Sequence, residues 1–278
     1  MPLTRPLLVA AYVALTLTAC STSGHRATTV VDSPPPSLTS PLTVRHTPTA
    51  PQASAPVHST MATVQPHPSP PRTHAAATAL PLAQPTGDAT EVITVVAASR
   101  RSTTATLQAW TKRSGGWTRF GSSVLAWLGS AGLSDPASES STATPIGSFT
   151  LTQAFGSQAD PGTALPYRQT TPADWWISQP GALYNTEQHC SGSCRFIEGE
   201  PNEHLYYTQP FYRYAVVIDY NTRNAPGGVH QGAGSAFFLH VTVGEPTAGC
   251  VSIPEATLTT LMRWLTPVAH PRILIGVA

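Results

Sequence analysis

The chain reads as a mainly β protein, a sandwich or barrel with one helix, carried behind a Pro-rich segment that does not pack. Three observations predict this. From residue 91 onward, short β-branched or alternating runs recur between Gly/Pro turns, and only one stretch repeats apolar residues at i, i+3, i+4 and i+7. Of the 21 aromatic residues, 20 lie beyond residue 109, the other being Tyr12. Residues 28–87 hold 13 of the 28 prolines and no aromatic residue, so they lack the large apolar side chains that offset the entropy of ordering.

Composition narrows the function. Only 10% of the 278 residues are charged and the formal net charge is +1, which leaves no basic footprint for nucleic acid. After residue 20 no apolar run approaches the length of about 18 residues that spans a bilayer, which argues against a polytopic membrane protein.

The elements follow in order. Residues 1–5 carry one positive charge, Arg5, ahead of an apolar stretch at 7–17 that is too short to span but suits a secretory signal. It ends in Leu17-Thr18-Ala19-Cys20, which resembles the lipobox of bacterial lipoproteins. That resemblance implies a signal peptide over residues 1–20, lipidation of Cys20, and a protein outside the cytoplasm, anchored to the cell membrane and facing the wall. Residues 21–90 are rich in Pro, Thr, Ser and Ala and read as a disordered, partly polyproline II tether. Its histidines, His25, His46, His58, His67 and His74, lack metal-ligand spacing.

Residues 91–278 form the expected head, long enough for one buried core. Strands are expected at 91–99, 104–111, 117–120, 124–128, 149–155, 214–220, 236–242 and 272–277, with Ser114-Gly115-Gly116 turning the first hairpin. The spacing of Leu258, Leu261, Met262 and Leu265 predicts a helix over 254–265, with Pro254 in its first turn and Thr266-Pro267 as its stop. Residues 156–213 show no clear period. Their aromatics, Trp175, Trp176, Tyr184, Tyr206, Tyr207 and Tyr212, belong either to a lid over a site or to a second small core. Glu187, Glu198, Glu200 and Glu203 of the same segment read as solvated, and Asp219 as outward-facing.

Cysteine usage isolates one thiol. Cys190 and Cys194 are separated by Ser-Gly-Ser and can close a local disulfide in an oxidising exterior; pairing of either with Cys250 is the alternative. His189 beside them makes too small a cluster for a metal site. Cys250 otherwise remains unpaired, in Thr247-Ala248-Gly249-Cys250, close ahead of the expected helix, whose N-terminal amides would favour a thiolate. Ten residues upstream lies His240, on a run whose alternation sets Phe237, Leu239 and Val241 on one face and Phe238, His240 and Thr242 on the other. A Cys beside a base is the minimal set for thiol acyl transfer, and an inert buried Cys is the bland reading.

This segment resembles the signature of the L,D-transpeptidase family, the YkuD-type catalytic domain: a His on a strand, then Ser/Thr-His-Gly-Cys. Thr144-Pro145-Ile146-Gly147-Ser148-Phe149 is similar to the Thr-Pro-x-Gly-x-Phe stretch upstream of that site. The resemblance covers about residues 92–277. It implies a YkuD-like fold with Cys250 as nucleophile, His240 as base, and Thr247, Ala248 and Gly249 in oxyanion and substrate-positioning roles. Ala248 departs from the family's usual second His, and Val241 from a common Gly.

The implied activity is peptidoglycan L,D-transpeptidation. Cys250 attacks a tetrapeptide stem, D-Ala leaves, and an amine of a neighbouring stem resolves the thioester into a 3→3 cross-link. Carbapenems acylate that family's thiol. Peptidoglycan stem peptides and the membrane are the expected partners; no metal or cofactor is implied, and a monomer is expected. Three rivals stand beside it. A sortase-like transpeptidase needs an Arg after the Cys, for which Arg263 and Arg272 are available. A papain-like hydrolase needs a later His, which only His270 supplies. The third is a weakened or inactive wall-binding envelope lipoprotein.

Overall fold

The structure is a computed structural model that describes residues 78–114 and 116–278. The expected signal peptide, lipidated Cys20 and residues 21–77 of the expected tether lie outside the described residues. Fifteen strands and one helix follow in order. They are β1 (Glu91–Ala97), β2 (Thr104–Arg113), β3 (Gly116–Trp127), β4 (Leu133–Ser134), β5 (Thr144–Pro145), β6 (Gly147–Thr150), β7 (Ala154–Gly156), β8 (Tyr167–Gln169), β9 (Asp174–Ile177), β10 (Thr186–His189), β11 (Glu203–His204), β12 (Ala215–Val217), β13 (Phe238–Val241) and β14 (Val251–Ile253), then helix α1 (Glu255–Trp264) and β15 (Arg272–Val277).

The mainly β prediction holds. Ten strands make one large curled sheet in the order β6-β15-β1-β2-β3-β14-β13-β12-β7-β8. At its centre β1 pairs parallel with β15 and antiparallel with β2. Alternation along β1 works on both faces. Ile93 and Val95 enter the main core, while Val92 packs with Leu274 and Leu82 on the other side. The helix closes the main core with Leu258, Leu261 and Met262, and Trp264 stacks on Phe120 at 4.7 Å. Burying such side chains stabilises the fold by about 1.5–3 kcal/mol each.

Four expectations are corrected. The tether ends earlier than residue 90: Leu82 is buried beside Val92, and Gln84 Nε2 donates to the Ile275 carbonyl. Two leucines within a Pro-rich run are enough to dock its last residues on the sheet. The expected strand at 149–155 is two, β6 at one end of the sheet order and β7 next to last at the other. The arms expected at 117–120 and 124–128 are one strand, β3, whose register shifts between Leu107 and Ala109 of its partner. Buried Gln108 fills that bulge, donating to the Ala109 and Phe120 carbonyls at 2.8 and 3.0 Å. Asp219 is buried rather than outward, accepting from Thr150, Thr152 and Thr222 hydroxyls at 2.8, 2.8 and 2.9 Å.

The irregular segment has order of its own. Strands β10, β9 and β11 form a separate three-stranded sheet. Trp176 and Tyr212 from this region join Phe155, Phe238 and Cys250 in a second buried cluster. The segment therefore builds a second core, and Tyr212 and Cys250 of that cluster also line the cavity described next. The disulfide joins Cys190 to Cys194, leaving Cys250 free. His189, beside it, bonds Asp174 at 2.8 Å. Burial pushes the Asp174 carboxyl up, but bonds from Thr171, His189 and Arg168 outweigh it and hold the group below the usual carboxylate range.

Candidate active site

The site is built on two neighbouring parallel strands. β13 and β14 run side by side with Leu239 opposite Val251 and His240 opposite Ser252. Alternation then decides the faces. Leu239 and Val251 enter the main core, while Phe238 and Cys250 enter the second cluster. His240 shares the face of Phe238, two residues on, as the sequence pattern predicts. Cys250 and His240 are nearly buried, at 7% and 4% exposure. They open onto one cavity of about 940 Å³, also lined by Ser252, Tyr212, Glu203 and Trp175.

The connection between the strands, residues 242–250, is short for a parallel crossover, which usually needs about a dozen residues or more. It is pinned rather than looped out. Thr247 N–H donates to the Leu128 carbonyl, and Ser130 N–H to the Thr247 carbonyl, both at 2.8 Å. The Thr247 hydroxyl donates to the Cys250 carbonyl at 2.7 Å and accepts from Gly249 N–H at 3.1 Å. Gly249 sits at φ +135, and a Cβ there would lie 2.7 Å from the Phe237 ring. Only glycine fits that turn without strain.

The upstream motif reaches the same loop. Thr144 is fully buried; its hydroxyl accepts from Gly129 N–H at 2.8 Å and donates to the Cys250 carbonyl at 3.3 Å. Gly147, at φ +152, lies where a Cβ would sit 2.6 Å from the Phe149 ring. Phe149 in turn packs edge-on against Tyr220. Of the Thr-Pro-x-Gly-x-Phe stretch, Thr144 thus braces the Cys loop, while Gly147 lets Phe149 pack on Tyr220.

The titrating groups are held neutral. His240 Nδ1 lies 2.8 Å from the Val241 carbonyl oxygen. A carbonyl only accepts, so Nδ1 carries the hydrogen and Nε2 keeps its lone pair. Burial lowers the imidazole to a pKa of about 4, against a smaller raising effect of that bond. Burial and then the Glu203 charge push the Cys250 thiol far above its ordinary value; the Phe238 N–H opposes them weakly. The sulfur accepts from Phe238 N–H and donates to the Ala236 carbonyl, each at 3.3 Å. No hydrogen bond joins thiol and imidazole.

This corrects the expected thiolate. Helix α1 begins at Glu255 and strand β14 intervenes, so Cys250 does not sit at a helix N-terminus. Of the residues expected to position an oxyanion, Gly249 has its N–H committed to Thr247, while Ala248 is exposed beside the cavity.

Sequence reasoning missed Glu203 and Tyr212. Glu203 was expected in solvent, yet it lines the cavity and accepts a short hydrogen bond from the Tyr212 hydroxyl. The Tyr212 ring lies edge-on to His240 and to Phe238, at 5.6 and 5.4 Å between centroids. Burial raises Glu203 to a pKa of about 7 despite the Tyr212 bond, with Glu200 and Glu139 adding to the rise. The only signal for these residues was the density of aromatics in the segment. Among the described residues no cluster of three or more His, Cys, Asp or Glu could hold a metal ion. No protein-family model and no curated protein matches the chain.

Proposed function

We propose that this protein is a cysteine acyltransferase of the YkuD-like L,D-transpeptidase kind, acting on peptidoglycan stem peptides from the outer side of the cell membrane, where Cys20 anchors it by lipid. One observation supports the reading above others: Cys250 and His240 leave adjacent parallel strands on one face and open into a single cavity, with His240 Nε2 holding its lone pair. Cys250 loses its proton to His240 as its sulfur attacks the carbonyl of the stem's third residue. The tetrahedral intermediate collapses to a thioester, and His240 returns the proton to the departing D-Ala amine. An amine of a second stem then displaces the sulfur and forms the 3→3 cross-link.

Because thiol and imidazole are both neutral at rest, ionisation accompanies attack rather than preceding it. The same observation favours one rival, a wall-binding lipoprotein without turnover, in which a docked, neutral thiol is simply inert. Incubating the purified protein with a disaccharide-tetrapeptide separates the two. Mass analysis is expected to show released D-Ala and a cross-linked dimer, both lost in Cys250→Ala, with a carbapenem adduct on Cys250. Undiminished D-Ala release by Cys250→Ala overturns the assignment; intact substrate with bound stem peptide supports the rival.

A further inference from the structure

Glu203 stands in conflict with the first half of that reaction. Its carboxylate lines the cavity with Cys250, and its charge makes the thiol harder to ionise. A site built only to form a thiolate gains nothing from it. The chain nevertheless holds it there. β11 sets Glu203 opposite Trp176 of β9, and the Tyr212 hydroxyl bonds its carboxyl while the Tyr212 ring packs against His240. Carboxylate, phenol and imidazole thus follow one another in contact, and the thiol opens onto the same cavity.

The conflict resolves in the second half-reaction, on the proposed function above. The entering nucleophile is a primary amine, which arrives in water as an ammonium ion with no lone pair. Two protons must leave it before an amide exists, and His240 accounts for only one. We propose that Glu203 is a further catalytic residue, the base that takes the first proton from the acceptor's ammonium group.

The step balances. The ammonium gives one proton to the Glu203 carboxylate, and its freed lone pair bonds to the thioester carbonyl carbon. The carbon–sulfur bond breaks, the sulfur leaving with its electron pair. The second amine proton passes through His240 to that sulfur, restoring the thiol, and Glu203 later yields its proton to solvent. An acid that titrates near neutrality suits this exchange. Tyr212, Cys250, Glu200 and Glu139 are the titrating groups whose influence reaches Glu203, and no Lys or Arg lines the cavity to pair with it.

The test uses Glu203→Gln, which keeps an acceptor for Tyr212, in the full-length protein. Acyl-enzyme on Cys250 is followed by mass spectrometry and its resolution by two nucleophiles: a stem amine, protonated at neutral pH, and hydroxylamine, which is not. The variant is expected to acylate no more slowly than wild type, since a negative charge beside the sulfur is gone. Transfer to the stem amine should fall about 10²-fold or more, with hydroxylamine transfer kept. The levelling of stem-amine transfer above about pH 7 should be lost in the variant, whose rate keeps rising with the free-amine fraction. Equal loss toward both nucleophiles, or loss toward neither, overturns the role of Glu203. Failure of the wild-type protein to acylate at Cys250 is a different result and overturns the proposed function itself.

Discussion

The Cys250 thiol donates to the carbonyl oxygen of Ala236 at 3.3 Å, and Ala236 is held at φ +56, the left-handed region that residues with a Cβ rarely adopt. Such a conformation costs about 1–2 kcal/mol and persists only where neighbours impose it. Here Asn185 imposes it: its side-chain oxygen accepts from Ala236 N–H at 3.1 Å. The strained residue sits immediately before the face that carries Phe238 and His240. The sulfur is docked on backbone rather than on the imidazole of His240. On the proposed function, attack requires the thiol hydrogen to leave Ala236 for the lone pair of His240.

Docking makes the resting thiol slow. Alkylation needs the thiolate, and both burial and the Glu203 charge oppose it. Cys250 in the folded protein should react with iodoacetamide at pH 8 more than about tenfold slower than in urea. Glu203→Gln should narrow that gap. Folded-state labelling as fast as in urea would show that the sulfur is not held as described.

His240 ties stability to pH. The folded imidazole protonates near pH 4, whereas an unfolded one does so near its model value of 6.5. Between those values the unfolded chain binds a proton that the fold excludes, so stability is fully present above pH 6.5 and falls as pH drops toward 4. The His240 share of the loss is about 3 kcal/mol across the window. Glu203, raised to a pKa of about 7 in the fold, adds stability over the same fall, so the share is read as the difference between wild type and His240→Asn in urea unfolding at pH 7 and pH 4. His240→Asn should remove this share of the slope. In the same window His240 stays neutral in the fold, so on the proposed function the acid limb of D-Ala release should lie near pH 4 rather than near 6.5.

Much of this was legible in the sequence where side-chain period carried the information. The alternation of residues 236–242 correctly separated Leu239 from His240, and the i, i+3, i+4, i+7 spacing found α1 within a residue at each end. The pattern failed in residues 156–213, where the elements are two to four residues long and no longer run of alternation surrounds them. β8, β9, β10 and β11 are too short for any period to show, and long-range pairing rather than local preference orders them. Glu203 sits in one of these. Charge alone suggested water around it, and only the return of Tyr212 through the 3-10 turn Phe211–Arg213 brings it to the sulfur's cavity. Asp219 deceived for a similar reason: three hydroxyls distant in sequence supply the donors that let a carboxylate be buried.

Asn185 is the hub that carries strain to the site. Its amide donates to the Tyr220 and Asn221 carbonyls at 3.2 and 2.8 Å and accepts from Trp176 Nε1 at 2.8 Å as well as from Ala236. Asn185→Ala leaves four polar groups without this partner, at a cost of at least about 3 kcal/mol in urea unfolding. The same variant lets Ala236 relax, so Cys250 should label faster in the fraction that stays folded. Stability loss with no change in labelling would separate the strain from the thiol.

Gly249→Ala tests the turn beneath Cys250. An added Cβ meets the Phe237 ring at 2.7 Å and the Ala143 carbonyl oxygen at 3.3 Å, at φ +135. Phe237 cannot swing clear at no cost, because it is buried and edge-on to Tyr220 at 5.2 Å. Overpacking and backbone strain together should lower stability by at least about 2 kcal/mol. On the proposed function, acyl-enzyme formation should fall further than stability predicts, since the loop that holds Cys250 must shift. Phe237→Leu in the same chain removes the ring but not the strain. The double variant should therefore recover part of the loss, with a favourable coupling of about 0.5–3 kcal/mol in the four-protein cycle. Strict additivity would mean that the loop yields elsewhere and that the ring does not define the turn.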